Sequence, residues 1–68
     1  MERISVVSSN IKSVGYEKGI LEIEFHTGSV YQYDWVSQLE YENLINASSV
    51  WGYFARNIKN TYPYIKIS

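Results

Sequence analysis

Apolar and polar residues alternate in the middle of the chain. Residues 21–26 alternate strictly, with Leu, Ile and Phe at the odd positions, which is the period of a half-buried strand. After Thr27-Gly28, aromatic residues recur at every second position as Tyr31, Tyr33 and Trp35. We therefore predict two antiparallel strands joined by a tight turn, with these three rings on one face of a sheet.

The length of that turn determines which face the aromatic residues share. A two-residue loop, Thr27-Gly28, would place Tyr31 opposite a glutamate, whereas a three-residue loop that includes His26 would place Tyr31 opposite Ile23. A shift of one residue would turn the whole aromatic row to the other face. We predict the three-residue loop, with Gly28 in the left-handed position of a type I turn followed by a G1 bulge.

Other segments carry weaker strand or helix patterns. They predict strands at residues 4–7, 11–16 and 64–67, and helices at residues 38–47 and 50–59. Ser37 precedes Glu40 with the spacing of a capping box, and Pro63 is tolerated beside an edge strand. The fold class predicted is α+β: an antiparallel β-meander of three to four strands, covered on one face by two helices, with a short C-terminal edge strand.

Composition narrows the kind of protein. With 68 residues and no cysteine, the chain is predicted to form a single domain over residues 1–68, without a disulfide or a thiolate zinc site. Its core must use the aromatic residues, among them seven tyrosines. The apolar runs are too short to span a bilayer, and the N-terminus lacks the features of a signal peptide. We therefore expect a cytoplasmic protein with no membrane contact.

Charge is unevenly distributed along the chain. All seven acids lie between Glu2 and Glu42, whereas the segment after Glu42 carries three bases and no acid. A basic, tyrosine-rich segment can contact phosphates and stack bases. The residues predicted to bind a ligand are Ser49, Arg56, Lys59, Tyr62, Tyr64 and Lys66. In an alternative interpretation this is simply a solvated surface of mixed charge.

Features of an enzyme are sparse. The only histidine, His26, lies at the predicted hairpin tip, where an exposed turn residue is expected and not a catalytic base. Glu22 and Glu24 are predicted to lie on a solvated strand face. No phosphate-binding glycine loop is present. We therefore expect no catalytic activity, no cofactor and no metal.

An ordered set of short motifs resembles the KTSC domain, a module named for its place at the C-terminus of some lysyl-tRNA synthetases. The motifs are Ser8-Ser9-Asn10-Ile11, Gly15-Tyr16, Phe25 before Thr27-Gly28, Tyr31-Gln32-Tyr33, Val36, Ala47 with Ser49, Tyr53-Phe54, Ile58-Lys59 and Tyr62-Pro63-Tyr64. They extend from about residue 6 to residue 67. The resemblance implies RNA binding and no catalytic activity. This chain departs from the family pattern in one place, because Trp51 stands where a glycine is common and Gly52 follows one residue late.

Two main functional hypotheses follow, and a third possibility is capture of a small nucleotide-like metabolite. The first is a small binding module for RNA or a nucleotide. Against it, Tyr31 and Tyr33 are equally explained as core residues with hydrogen-bonded hydroxyls, and Ser49 as a simple helix cap. The alternative is a protein-interaction adaptor or an inhibitor of a larger protein, with an exposed apolar patch at Trp51 and Tyr53. The protein is predicted to be a monomer or a weak homodimer.

Overall fold

The strands of the chain form one antiparallel sheet. The computed structural model describes all 68 residues. Its five strands lie in the order of the sequence, β1-β2-β3-β4-β5, and two helices connect the fourth strand to the fifth. The elements are β1 (Arg3–Ser5), β2 (Ile11–Glu17), β3 (Ile20–Phe25), β4 (Val30–Tyr33), α1 (Gln38–Ile45), α2 (Val50–Asn57) and β5 (Tyr64–Lys66). The predicted α+β class and the C-terminal edge strand are confirmed.

The hairpin between β3 and β4 has the predicted register. Tyr31 lies opposite Ile23 and Tyr33 opposite Leu21. Gly28 has a φ of +97° and donates its amide to the Phe25 carbonyl at 2.9 Å, which closes the three-residue loop. A residue with a side chain would be strained at this φ.

Trp35 does not continue the aromatic row of β4, so that part of the prediction is wrong. The strand ends at Tyr33, and Trp35 takes a left-handed φ of +67° that points its side chain into solvent, where it is 79% exposed. The next residue is fixed on both sides, because the Val36 amide donates to the Gly19 carbonyl and its carbonyl accepts from the Tyr16 hydroxyl. These tertiary hydrogen bonds hold Val36 in a position that the chain reaches only by leaving the strand, so Trp35 does not follow the strand alternation.

Both helices begin at the serines predicted to cap them. Ser37 accepts from the Glu40 amide at 3.1 Å, and Ser49 accepts from the Gly52 amide at 3.0 Å. The helices end at Ile45 and Asn57, two residues earlier than predicted. Glu40 does not complete a capping box, since its carboxylate binds two tyrosine hydroxyls instead.

The two faces of the sheet differ in chemistry. The helices cover an apolar face, and the core consists of Ile11, Val14, Leu21, Ile23, Tyr33, Val36, Leu44, Val50, Phe54 and Ile58. On the opposite face, Glu22 accepts hydrogen bonds from Arg3 and Gln32, while Glu24 accepts from Ser13. Glu22 is only 6% exposed, so the predicted solvated face is in fact a covered network of polar side chains. The carboxylates of β3 therefore point away from the helices.

Candidate ligand-binding pocket

Aromatic rings surround an opening between the sheet and α2. Five rings contact one another in turn, with neighbouring centroids 5.4–5.9 Å apart. The pairs are Phe25 and Tyr31 at 5.7 Å, Tyr31 and Tyr64 at 5.7 Å, Tyr64 and Tyr33 at 5.4 Å, Tyr33 and Phe54 at 5.4 Å, and Phe54 and Phe25 at 5.9 Å. Several of these pairs meet edge to face, a favourable geometry for aromatic rings. The register of β4 and β5 creates this arrangement, because Tyr64 lies directly opposite Tyr33.

These five rings line one side of a pocket with a volume of about 380 Å³. Trp51 extends the aromatic wall along α2, with its ring 5.6 Å from that of Phe54. The polar residues that line the pocket are Asn10, Thr27, Ser29, Lys59 and Asn60. The volume lies toward the lower end of the range for small-molecule pockets, roughly 300–1,000 Å³. The pocket therefore suits one flat ring system with a few polar substituents.

The pocket carries positive charge and no negative charge. Lys59 is its one charged lining residue, and the Lys59 ammonium lies 5.7 Å from the Trp51 ring centroid, within the range of a cation–π contact. Lys66 lies opposite Tyr31 in the register of β5 and is exposed, so its side chain projects from the same sheet face. Neither lysine takes part in the ion pairs of the structure, which join Arg3 to Glu22 and Glu24.

Six of the seven tyrosine hydroxyls fall into two groups, and the seventh, that of Tyr41, has no protein partner and does not line the pocket. Tyr16, Tyr53 and Tyr62 donate to protein oxygens, whereas the hydroxyls of the pocket tyrosines, Tyr31, Tyr33 and Tyr64, have no protein partner. No fully buried polar side-chain atom lacks a partner, so the Tyr33 hydroxyl is not fully buried, and Tyr33 is one of the residues that line the pocket. The interpretation of Tyr31 and Tyr33 as core residues is thus right for the burial of Tyr33 and wrong for the hydrogen-bonded hydroxyls.

The protonation state of Tyr33 is set by its surroundings. Burial of the ring, with smaller effects of Tyr64 and Tyr31, raises the pKa of Tyr33 to about 12, because the phenolate form is poorly solvated there. Its hydroxyl therefore remains a hydrogen-bond donor throughout the physiological pH range.

The sequence-predicted ligand residues do not all meet at this pocket. Lys59 and Tyr64 line it, and Lys66 flanks it through β5. Ser49 caps α2. A Cβ on Gly52 would stand 2.9 Å from the Ser49 hydroxyl oxygen and 3.1 Å from a guanidinium nitrogen of Arg56. Gly52 therefore lets the cap and Arg56 approach closely.

The remaining predicted residues are Tyr62, assigned to ligand binding, and Trp51 and Tyr53, assigned to protein contact. Tyr62 and Tyr53 both bind the Glu40 carboxylate, while Trp51 faces the pocket. Trp51 and Tyr53 are each half-buried and lie on different sides of α2. They do not form a shared exposed patch.

Comparison with known proteins identifies the family. The family model described as "KTSC domain" matches residues 7–62. The chain belongs to the KTSC domain family. An uncharacterized protein of Stutzerimonas stutzeri (strain A1501) is 36% identical over 70 residues, covering 98% of this chain and 99% of that protein. A KTSC domain protein from Yersinia pestis, known from its crystal structure, is 35% identical in sequence. The two structures match with a TM-score of 0.94 over 98% of this chain and 97% of the other.

Part of the pocket of this KTSC domain lies outside the family match. The matched range ends at Tyr62, whereas Tyr64 and Lys66 belong to β5. Neither relative is described in terms of a tRNA synthetase, so that aspect of the resemblance stays a prediction. Neither helix of the KTSC domain is long and apolar enough to cross a membrane.

Several lining residues escaped the sequence analysis. Phe25 was predicted only as a strand residue and Thr27 only as a loop residue, Asn10 appeared only within a family motif, and Ser29 carried no prediction, yet all four line the pocket. Their common signal is proximity to the hairpin loop, where the backbone of His26 bonds to Asn10. That long-range contact has no counterpart in local periodicity.

Proposed function

We propose that this KTSC domain is a non-catalytic binding module that stacks one unpaired nucleobase of RNA, or of a nucleotide, in the aromatic pocket. The observation that carries the proposal is the combination of an aromatic wall, a free lysine and the absence of any carboxylate among the lining residues. Proteins that bind single-stranded RNA combine stacking rings with cationic side chains in this manner.

The polar groups of the pocket suit a base and its phosphate. The free hydroxyls of Tyr31, Tyr33 and Tyr64 can donate to or accept from the edge of a stacked ring. The side-chain amides of Asn10 and Asn60 add donors and acceptors at the rim. Lys59 and Lys66 supply the positive charge that a phosphate requires.

The position of the acids is compatible with an anionic ligand. Glu22 and Glu24 would repel phosphate if they stood beside the tyrosines, but they lie on the opposite face of the sheet and bind Arg3, Ser13 and Gln32. The net charge of −1 belongs to the whole chain and therefore does not indicate the sign of the charge beside the pocket. With few cations, the affinity is expected to be modest and to fall steeply with salt.

Binding without catalysis agrees with the surroundings of the titratable groups. His26 is exposed at the hairpin loop, with its Nε2 atom 3.0 Å from the Ser8 carbonyl, and it does not line the pocket. The protein-adaptor alternative has less support, because Trp51 and Tyr53 form no common exposed patch. The sequence resemblance to the KTSC family implies RNA binding, which favours RNA over other anionic ligands.

Replacing Lys59 tests the proposal. We expect K59Q to weaken binding of a fluorescently labelled single-stranded RNA of about eight nucleotides. Fluorescence anisotropy at about 50 mM and about 200 mM salt should show the slope of log K against log salt reduced by about 0.7. K12Q removes the same charge from an exposed residue close to Glu24 on the other face, and it should leave affinity unchanged. Equal effects of the two variants, or no binding by the wild type at the lower salt, would contradict the proposal.

A further inference from the structure

A single carboxylate connects α1 to the segment that leads into β5. The Tyr62 hydroxyl donates to Glu40 Oε1 at 2.9 Å, and the Tyr53 hydroxyl donates to Glu40 Oε2. Glu40 is partly buried and makes no ion pair with a cation, since the ion pairs of the structure involve other glutamates. Hydrogen bonds to an ionised carboxylate are stronger than those between neutral groups.

The Tyr62 bond lies close in sequence to the outer wall of the pocket. Tyr62 precedes Tyr64 by two residues, and the intervening Pro63 carbonyl accepts from the Asp34 amide at 2.9 Å. Tyr64 is 56% exposed and belongs to a strand of only three residues. Such a short edge strand has little packing of its own, so its position depends on how the preceding segment is anchored.

We infer that Glu40 is a positioning residue for the pocket, acting through Tyr62 to hold the Tyr64 ring against Tyr31 and Tyr33. The inference deepens the proposed function and rests on it for the identity of the ligand. Its structural part, the placement of β5 by Glu40, does not require a ligand. This positioning role agrees with the direction of the Glu40 side chain, which turns away from the Ser37 cap although capping-box spacing would direct it there.

The two tyrosines bound to Glu40 form a matched pair. Tyr53 lies within α2, which is fixed by its Ser49 cap and by the burial of Phe54. Tyr62 lies after the helix, in the segment that enters β5. The hydrogen bond to Glu40 raises the pKa of both hydroxyls, so both remain protonated donors at neutral pH. Loss of either hydroxyl removes one bond to the same carboxylate, but only Tyr62 leads directly to the wall.

Amide hydrogen exchange tests the placement of β5 without any ligand. In Y62F, the Asp34 and Ile67 amides, which donate to Pro63 and Val30, should exchange about tenfold faster than in the wild type. Y53F should leave both rates unchanged, and E40A should behave as Y62F does. The Phe25 amide, which donates within the β3–β4 hairpin, provides the internal reference. Equal exchange in Y62F and Y53F would overturn the inference.

Binding of the same labelled RNA separates this inference from the proposed function. Y62F should lower affinity about tenfold, Y53F should not, and Y62F should add nothing to Y64A, because Tyr62 acts through Tyr64. A wild type that binds, with equal losses in Y62F and Y53F, would refute the positioning role and leave the proposed function standing. A wild type that fails to bind, with exchange faster only in Y62F, would refute the proposed function and leave the positioning role standing.

Discussion

Phe54→Ala is expected to unfold most of the protein at ambient temperature. The Phe54 side chain is only 1% exposed and contacts the rings of Phe25, Tyr33 and Trp51. Truncating a buried phenylalanine costs about 3–5 kcal/mol. A core in a domain of this size rarely supplies more than about 3–5 kcal/mol of net stability. The loss therefore approaches the whole free energy of folding.

Thermal unfolding followed by circular dichroism measures this effect. Leu39→Ala is the control, because Leu39 is an exposed residue of α1 at 65% and its loss should change stability by no more than about 0.5 kcal/mol. If F54A melted within a few degrees of the wild type, the packing of Phe54 against Phe25 and Tyr33 would not be what holds α2 to the sheet.

Tyr64→Ala is expected to lower RNA affinity by roughly tenfold or more while the fold persists. The Tyr64 ring forms the outer wall of the pocket and lies 5.4 Å from Tyr33 and 5.7 Å from Tyr31. Removing one stacking ring typically costs about 1–3 kcal/mol of binding free energy. Because Tyr64 is 56% exposed, its truncation should cost far less stability than that of Phe54.

Ile65→Ala is the matched control for this variant. Ile65 is the next residue of β5, is similarly exposed at 62%, and points to the opposite face of the sheet, opposite Gln32. Anisotropy titrations should show wild-type affinity for I65A and the loss only for Y64A. Comparable losses in the two variants would indicate that β5 matters as a strand and not through the Tyr64 ring.

The register of the central hairpin was predictable because it depends on parity. Only a loop that includes His26 places Tyr31 beside Ile23, and an apolar face must be continuous to be buried. The caps at Ser37 and Ser49 were equally local, since each serine bonds an amide three residues ahead. In both cases the deciding interaction lies within a few residues of the chain.

Features that depend on tertiary contacts could not be predicted in the same way. Trp35 has the strand period but leaves the sheet, because Gly19 and Tyr16 hold the neighbouring Val36. Glu40 has capping-box spacing but binds hydroxyls from elsewhere in the chain. A local and a distant hydrogen bond each contribute about 0.5–1.5 kcal/mol, so capping-box spacing alone does not decide where the Glu40 carboxylate binds.

The residues of the candidate site were predicted only in part, because tertiary contacts bring several of them together. The basic, tyrosine-rich C-terminal segment directed attention to Lys59 and Tyr64, which do line the pocket. Sequence could not place Phe25 and Asn10 beside them, because the pocket arises only when α2 packs over the hairpin. Nor could it separate tyrosines with bonded hydroxyls from those with free ones.

The central claim is that an unpaired base enters the aromatic pocket, and mapping of NMR shifts during titration with single-stranded RNA tests it most directly. The Trp51 indole N–H and the side-chain amides of Asn10 and Asn60 should shift as RNA is added. The Trp35 indole, exposed outside the pocket, and the Gln32 amide, bound to Glu22 on the opposite face, should stay in place. Shifts confined to Trp35 and Gln32, or none at all, would contradict the account.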